Sequence, residues 1–234
     1  MYEIILPTYN EEENIQSVLY MIHKTFKEIN MDYKILMVDD NSKDNTFEKA
    51  IKMKKMVNVE ILQREGKLGL GSAYKHALKY TKAKFIFIMD ADMSHNPFYM
   101  KDMIEKQKIN DCDIVIGTRY LKNERSGVSG WSFYRKLISR GANNLARILL
   151  NLKVSDVTGS YRLYKRNILK SLIDKVESDG FSYQMEVLYW AQRNKFSIAE
   201  CPIVFVDRIS GSSKMGLNEI IKFFFKIVIL FFKI

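Results

Sequence analysis

Apolar runs and amphipathic stretches alternate along the first part of the chain. Residues 3–6, 34–38, 57–62 and 85–89 are short runs rich in Ile, Val, Leu, Met and Phe. Their length and their β-branched or aromatic character suit buried strands. Between them, residues 11–29, 44–56 and 69–80 repeat apolar positions at helical spacing. Asn10 precedes the first of these, Asp44 stands where it can cap the second, and Gly69-Leu70-Gly71 opens the third. Strand and helix signals in this order predict a mostly parallel sheet with helices on both faces, an α/β fold of the Rossmann kind. Beyond Asp92 the alternation loosens. Asn96 and Pro97 have the character of an N-cap and first helical residue. Strands are then expected at 114–117, 159–164 and 198–206, and helices at 131–150 and 184–193.

The last stretch, 219–234, reads EIIKFFFKIVILFFKI. As a helix it spans about 24 Å at 1.5 Å per residue, short of the ~30 Å hydrocarbon core of a bilayer. Glu219, Lys222, Lys226 and Lys233 fall within an arc of roughly 60° on a helical wheel. The rest of its surface is Phe, Ile, Val and Leu. One narrow charged stripe beside a broad apolar face describes an amphipathic, interfacial helix that touches a membrane surface or a partner's membrane helix.

Composition narrows the picture. A chain of 234 residues with 47% hydrophobic content can bury a substantial core, and three prolines leave no evident linker. Cys112 and Cys201 match no metal-binding spacing and are expected as free thiols. No basic and then apolar leader opens the sequence, so the catalytic part is expected to face the cytosol. The net charge of +10 calls for an anionic partner. Its lysines are scattered and no nucleic-acid recognition motif is visible, so nucleic acid is excluded as the expected partner; a non-catalytic nucleic-acid binder is the alternative from another class.

Candidate chemistry sits at the ends of the strands. Three of them run into polar clusters: Pro7-Thr8-Tyr9-Asn10-Glu11, Asp39-Asp40-Asn41-Ser42 and Asp90-Ala91-Asp92. Parallel strands bring their C-termini to one edge, so these distant segments should converge there. Asp-x-Asp alone is more often a turn or capping pattern than a metal site. At such an edge, however, Asp90 and Asp92 repel each other unless a proton or a cation intervenes. Mg²⁺ or Mn²⁺, which takes carboxylate, water and phosphate oxygens, fits them. Asp40 can accept hydrogen bonds from a base or a ribose, and Tyr9 can pack on the base beside Pro7. Basic residues that could meet phosphates are Arg119, Arg135, Lys136, Arg140, Arg162, Arg208 and Lys214. Arg208 and Lys214 flank Ser210-Gly211-Ser212-Ser213, a stretch suited to closing over an anion. Gly69-Leu70-Gly71 lacks the ending of a phosphate loop and reads as a tight turn. Residues 1–92 are thus expected to form a nucleotide-binding half and 93–216 an acceptor-handling half of one domain, followed by the apolar helix 217–234.

ILPTYNEEEN, VDDNSKDNT, GLGSAYKHAL, IMDADMSHNP and GTRY resemble the family-2 glycosyltransferases of GT-A fold. GWSFYRKLISRGAN, DVTGSYRLYK, YQME and VDRISGSSKMGLNEI are similar to the eukaryotic catalytic subunits of dolichol-phosphate mannosyltransferases. The resemblance spans nearly the whole chain. It implies inverting transfer of mannose from GDP-mannose to dolichyl phosphate at the cytosolic face of the endoplasmic reticulum, for glycoprotein and GPI-anchor assembly. UDP-glucose is the alternative donor. Carried over by motif, Pro7, Tyr9, Glu11, Val38 and Asp40 would hold GDP. Asp90, Ala91 and Asp92 would lie at the diphosphate, with Asp90 and Asp92 on the metal. Arg119, Arg208 and Lys214 would contact phosphates, and Arg135 with Lys136 would guide the acceptor. Some relatives carry Gln where Ser94 stands. Small membrane accessory subunits are a further implied partner.

Overall fold

The computed structural model describes residues 1–121, 125–208 and 216–233. The first half alternates strand and helix: β1 (Tyr2–Thr8), α1 (Ile15–Glu28), β2 (Tyr33–Asp39), α2 (Thr46–Met53), β3 (Val59–Gln63), α3 (Leu70–Leu78) and β4 (Phe85–Ile88). The second half runs α4 (Tyr99–Asn110), β5 (Ile114–Thr118), β6 (Gly127–Ser129), α5 (Phe133–Leu149), β7 (Arg162–Lys165) and α6 (Arg166–Ile173). It ends with α7 (Tyr183–Arg193), β8 (Ile198–Pro202), β9 (Val204–Val206) and α8 (Leu217–Phe232).

Seven strands form one sheet in the order β3-β2-β1-β4-β7-β5-β8, and β6 and β9 form a separate ribbon. The pairs among β1, β2, β3 and β4 are all parallel, whereas β7 runs antiparallel between β4 and β5. The central strands carry continuous apolar runs because helices cover both faces. Ile5, Val38, Ile86, Ile88, Ile114 and Ile116 face one core, with α3, α7 and α8 packed on it. Ile4, Leu6, Ile35, Met37, Phe87 and Val115 face the other, beneath α1 and α4.

Helix α1 buries Ile15, Val18, Leu19, Ile22 and Phe26, the stripe its spacing predicts. Asn30, Asp111, Asn151 and Lys195 follow α1, α4, α5 and α7 in the left-handed region, at φ 50°, 44°, 50° and 59°. Asn and Asp tolerate that conformation better than most residues, and so end helices without glycine. Asn45, not Asp44, is the N-cap of α2; Asp44 lies one residue earlier and its Oδ1 takes the Thr46 N–H at 3.0 Å.

Three further local expectations need correction. The run 198–206 breaks at Ile203: β8 pairs with β5, while β9 leaves the sheet to pair with β6. Pro97 lies in a turn ahead of α4 rather than inside it, with Asn96 Oδ1 accepting the Phe98 N–H at 3.0 Å. The strand expected at 159–164 is Arg162–Lys165, because residues 156–160 form a tight loop around Asp156.

Candidate active site

The β1 and β2 ends are stitched into one rim. Register places Pro7 beside Val38 and Thr8 beside Asp39. Beyond the sheet, the Asn10 N–H donates to Ser42 Oγ at 2.9 Å and the Lys43 N–H to Asn10 Oδ1 at 2.8 Å. Asp39 is spent on this rim, accepting from Ser42 N–H at 3.1 Å and Ser42 Oγ at 2.5 Å. Glu11 is buried; its N–H donates to Thr46 Oγ1 at 2.8 Å and its carboxylate takes Asn14 Nδ2 at 2.9 Å.

Asp40 faces Arg64 instead. The guanidinium meets Asp40 Oδ1 through Nε at 2.7 Å and Nη2 at 2.5 Å, and donates from Nη1 to Ser72 Oγ at 2.7 Å. Burial pushes the Asp40 carboxyl up, against the pull of Arg64. Lys67 stands 5.2 Å from the centre of the Tyr9 ring. Arg64 and Lys67 escaped the sequence reading. The available signal for Arg64 was its place one residue past β3, on the same sheet edge as Asp40. Gly69, at φ 91°, carries its Cα so close to the Asp179 carbonyl that a Cβ would meet that oxygen at 2.7 Å. The glycine pair is therefore a close-packed turn, as its sequence implies.

Across the rim, β4 delivers Asp90 and Asp92. Ser160 Oγ donates to Asp90 Oδ2 at 2.7 Å, and the Asp90 N–H points to His95 Nδ1 at 3.2 Å. That contact leaves the ring proton on Nε2. His95 is buried between Tyr161 and Phe205. Burial lowers its pKa despite the two carboxylates, so the imidazole is neutral at pH 7. Asp92 Oδ1 accepts from Ser94 N–H at 3.1 Å and Ser94 Oγ at 2.5 Å, while Oδ2 lies 3.1 Å from Arg208 Nη2. Ser94, fully buried, thus orients Asp92. Met93 takes φ 62° to let the chain turn between them.

Among the described residues no three His, Cys, Asp or Glu side chains gather into a metal cluster. Two carboxylates on one turn, with oxygen atoms already oriented by Ser160 and Ser94, nevertheless fit an oxygen-seeking divalent cation. Such ions commonly take only one or two protein carboxylates and complete their shell with phosphate and water.

The third side of the site is basic and aromatic. Arg119 forms a two-point pair with Asp156, Nε to Oδ2 at 2.7 Å and Nη2 to Oδ1 at 2.8 Å, and reaches Thr158 Oγ1 at 2.7 Å. Its Nη1 makes no hydrogen bond among the described residues. Rings of Tyr120, Trp131 and Phe205 surround the guanidinium at 5.1, 5.7 and 5.5 Å. Burial alone would lower the Arg119 pKa; the Asp156 charge and hydrogen bonds outweigh it and raise it. For Asp156 burial likewise works upward, and Arg119 holds the carboxyl below its ordinary value. Arg135 packs 4.3 Å from Trp131 and pairs with Asp207 at 2.8 Å. The Val206 N–H donates to Ser94 O at 3.2 Å, tying β9 and the following Asp207 and Arg208 to the acidic turn.

Asp92 and Arg208 therefore meet directly, Asp90 stands two residues before Asp92 on the same turn, and Arg119 and Arg135 share Trp131. Pro7, Tyr9, Glu11 and Asp40 stand on the neighbouring rim, whereas the Val38 side chain is fully buried in the core. Ala91 is buried between the two aspartates. Arg162 corrects the list of phosphate candidates: it is fully buried and donates to Gly159 O at 2.9 Å, so no external phosphate reaches it. Lys214 and Ser210-Gly211-Ser212-Ser213 lie outside the described residues.

Helix α5 starts in this site and leaves it. Arg135 faces inward, while Phe133, Tyr134, Leu137, Ile138 and Ile148 are 75, 76, 60, 64 and 77% exposed. It lies against α8, which exposes Ile221, Phe225, Val228 and Phe232. Phe223, Ile227 and Leu230 of α8 are buried in the core. Of the charged residues on this helix, Lys226 turns inward, whereas Lys222 is 70% exposed. Lys226 pairs with Glu177 at 2.9 Å and Glu186 at 3.0 Å, and Lys233 with Glu177 at 2.9 Å. Glu219 accepts the Phe181 N–H at 3.3 Å. Among the described residues no helix is long and apolar enough to cross a membrane.

Comparison with known proteins bears on this arrangement. A family model described as glycosyl transferase family 2 matches residues 3–173. A polyprenol monophosphomannose synthase from Mycolicibacterium smegmatis is 32% identical over 230 residues, covering 96% of this chain and 84% of its own length. A dolichol-phosphate mannosyltransferase from Pyrococcus furiosus is 36% identical over 226 residues, covering 94% of this chain; the chain spans 60% of that relative. Glucosyl-3-phosphoglycerate synthase from Mycobacterium tuberculosis, in complex with Mn²⁺, uridine diphosphate and phosphoglyceric acid, superposes with a TM-score of 0.70 at 18% identity. The match covers 100% of this chain and 78% of that one. The same synthase with Mg²⁺ and uridine diphosphate gives 0.69 at 18% identity, with the same coverage. The fold is GT-A.

Proposed function

Because the chain belongs to glycosyl transferase family 2, we propose that it transfers mannose, with inversion, from GDP-mannose to dolichyl phosphate, giving dolichyl β-D-mannosyl phosphate. One observation carries the acceptor reading. Helix α5 presents Arg135 to the site and an exposed apolar face to the outside, so a single helix suits both the phosphate and the lipid tail of a polyprenyl phosphate. The names of the mycobacterial and archaeal relatives point to the same acceptor class and to mannose.

The chemistry needs little from a general base. A phosphate monoester has a second pKa near 6, so at neutral pH its oxygen is already largely ionised and nucleophilic. That oxygen attacks C1 of the mannosyl group, the C1–O bond to the diphosphate breaks, and GDP leaves from the opposite face with the electron pair. Asp90 and Asp92 would hold a Mg²⁺ or Mn²⁺ ion, which supplies charge neutralisation at the departing diphosphate when bound. Arg208, on the same carboxylate, and Lys214 would add positive charge there. Asp40, Tyr9, Pro7, Val38 and Glu11 would hold the nucleoside. Arg119, through Nη1, and Arg135 would receive the acceptor phosphate, aligned rather than activated.

The exposed faces of α5 and α8 would rest on a lipid surface, and the cytosolic face of the endoplasmic reticulum is the membrane we assign. The product would there serve glycoprotein and GPI-anchor assembly, as in the eukaryotic type. The same faces suit a membrane helix of a small accessory subunit. The test is direct: the purified protein is incubated with labelled GDP-mannose, Mn²⁺ and dolichyl phosphate, and label in the lipid phase is counted. Mannose-dependent label in the lipid phase is expected. Label only from UDP-glucose would replace the donor, and none from either would overturn the reading.

A further inference from the structure

Residues 155–160 connect the two charged sides of the site, and they are held from every direction. Asp156, 1% exposed, takes Arg119 on both oxygens and also accepts the Thr158 and Gly159 N–H groups at 3.2 and 3.0 Å. Four residues on, Ser160 reaches the opposite side and donates to Asp90 Oδ2 at 2.7 Å. From α5, buried Asn143 donates to Ser155 O at 2.7 Å and accepts the Val157 N–H at 2.8 Å. From β8, Glu200 accepts the Ser155 N–H at 2.7 Å and its hydroxyl as well.

Arg162 holds the loop from beneath, donating to Gly159 O at 2.9 Å and Val157 O at 3.4 Å. It is fully buried, and no described carboxylate pairs with it. A buried guanidinium without a counter-ion is costly to keep. Here it is kept against two loop carbonyls and the Tyr164 hydroxyl, the last at 3.3 Å. Its placement makes sense if the loop's shape matters more than the strand's own stability.

We infer that loop 155–160 is a positioning element, in which one rigid backbone sets Asp90 through Ser160 and Arg119 through Asp156. The cation-binding carboxylate and the acceptor-side guanidinium are thereby held at a fixed separation, which matters where two reactants must meet in line. Ser160 and Asp156 are positioning residues: each acts through its neighbour. The Asp156 half rests on the acceptor reading above, whereas the Ser160 half concerns only the carboxylate.

Two readouts on the full-length protein test this. Mn²⁺ binding is titrated by electron paramagnetic resonance with GDP or UDP present, whichever the protein binds, and initial rates are measured against dolichyl phosphate. Ser160→Ala should weaken Mn²⁺ binding by about tenfold, as loss of a hydrogen-bond partner to a ligating group does, and leave the acceptor KM within about twofold. Ser160→Thr should restore it. Asp156→Asn should raise the acceptor KM by about tenfold and leave Mn²⁺ binding within about twofold. Wild-type Mn²⁺ affinity in Ser160→Ala, or a change in melting temperature alone, overturns the inference. A wild-type protein that transfers nothing to dolichyl phosphate sinks the function instead, and the Mn²⁺ titration of Ser160→Ala then decides this inference by itself.

Discussion

At the end of β4, Asp90 and Asp92 stand on one turn, whereas the acids at the end of β2 are already engaged, Asp39 by Ser42 and Asp40 by Arg64. Asp90 and Asp92 are oriented by serine hydroxyls, and only Arg208 among the described residues offers Asp92 positive charge. On the β5–β8 side, the arginines arrive already matched: Arg119 with Asp156 and Arg135 with Asp207. The contrast has a physical reading. A cation lost from the acidic side leaves two repelling carboxylates, so that side depends on its ligand for charge balance. The basic side is balanced without a ligand and can offer an anion only its remaining N–H groups. Tight binding there must draw on something besides charge, and the apolar faces of α5 and α8 are the available source.

The largest effect should therefore come from the acidic side. Asp92→Asn removes half the carboxylate pair and the partner of Arg208, and should lower kcat by about a hundredfold or more, in line with losses of preorganised charge at other active sites. Retained turnover at ordinary Mn²⁺ concentrations would break the contrast. On the lipid side, Phe225→Asp with Phe232→Asp places two charges on the exposed face of α8. Flotation with liposomes should fall by at least about tenfold, since each buried phenylalanine contributes about 1.5–3 kcal/mol. Unchanged flotation would remove the apolar face from the argument. Arg135→Gln should be milder. It loses one half-exposed charge, and the acceptor KM should rise severalfold with kcat little changed. A fall in kcat at constant KM would move Arg135 to the transition state.

The same division marks what the sequence makes legible. β1, β2 and β4 are buried on both faces, so they appear as unbroken apolar runs, and their acids fall where the runs stop. The common edge then follows from parallel topology alone. The basic side is assembled from residues far apart: Arg119 and Asp156 are separated by 37 positions, and no local pattern announces the pairing. β6 and β9 are three residues each, too short for a period. α6 starts at the residue after β7, without a turn signal. For α8 the charged stripe is visible on a helical wheel, yet its direction depends on Glu177 and Glu186, which come from the α7 region. A wheel cannot say which stripe faces the protein.

The paired lysines of α8 give the smallest and most specific prediction. Glu177 receives Lys233 and Lys226, each at 2.9 Å, and these bonds lower its carboxyl to about 2. The group is largely exposed, so its pairs contribute no more than about 1 kcal/mol after screening. Because the folded pKa lies below the unfolded one, the contribution is complete above about pH 4.5. It fades as pH falls from there towards 2 and both states take up the proton. Glu177→Gln should accordingly lower the melting temperature by about 2–4 °C at pH 7 and progressively less at lower pH. Lys226 keeps Glu186, so α8 stays docked and liposome flotation at pH 7 should not change. A melting difference that stays constant from pH 7 to pH 2.5 would mean that Glu177 acts by packing. The charge pairing of α8 with the α7 region would then rest on the buried Lys226–Glu186 pair alone.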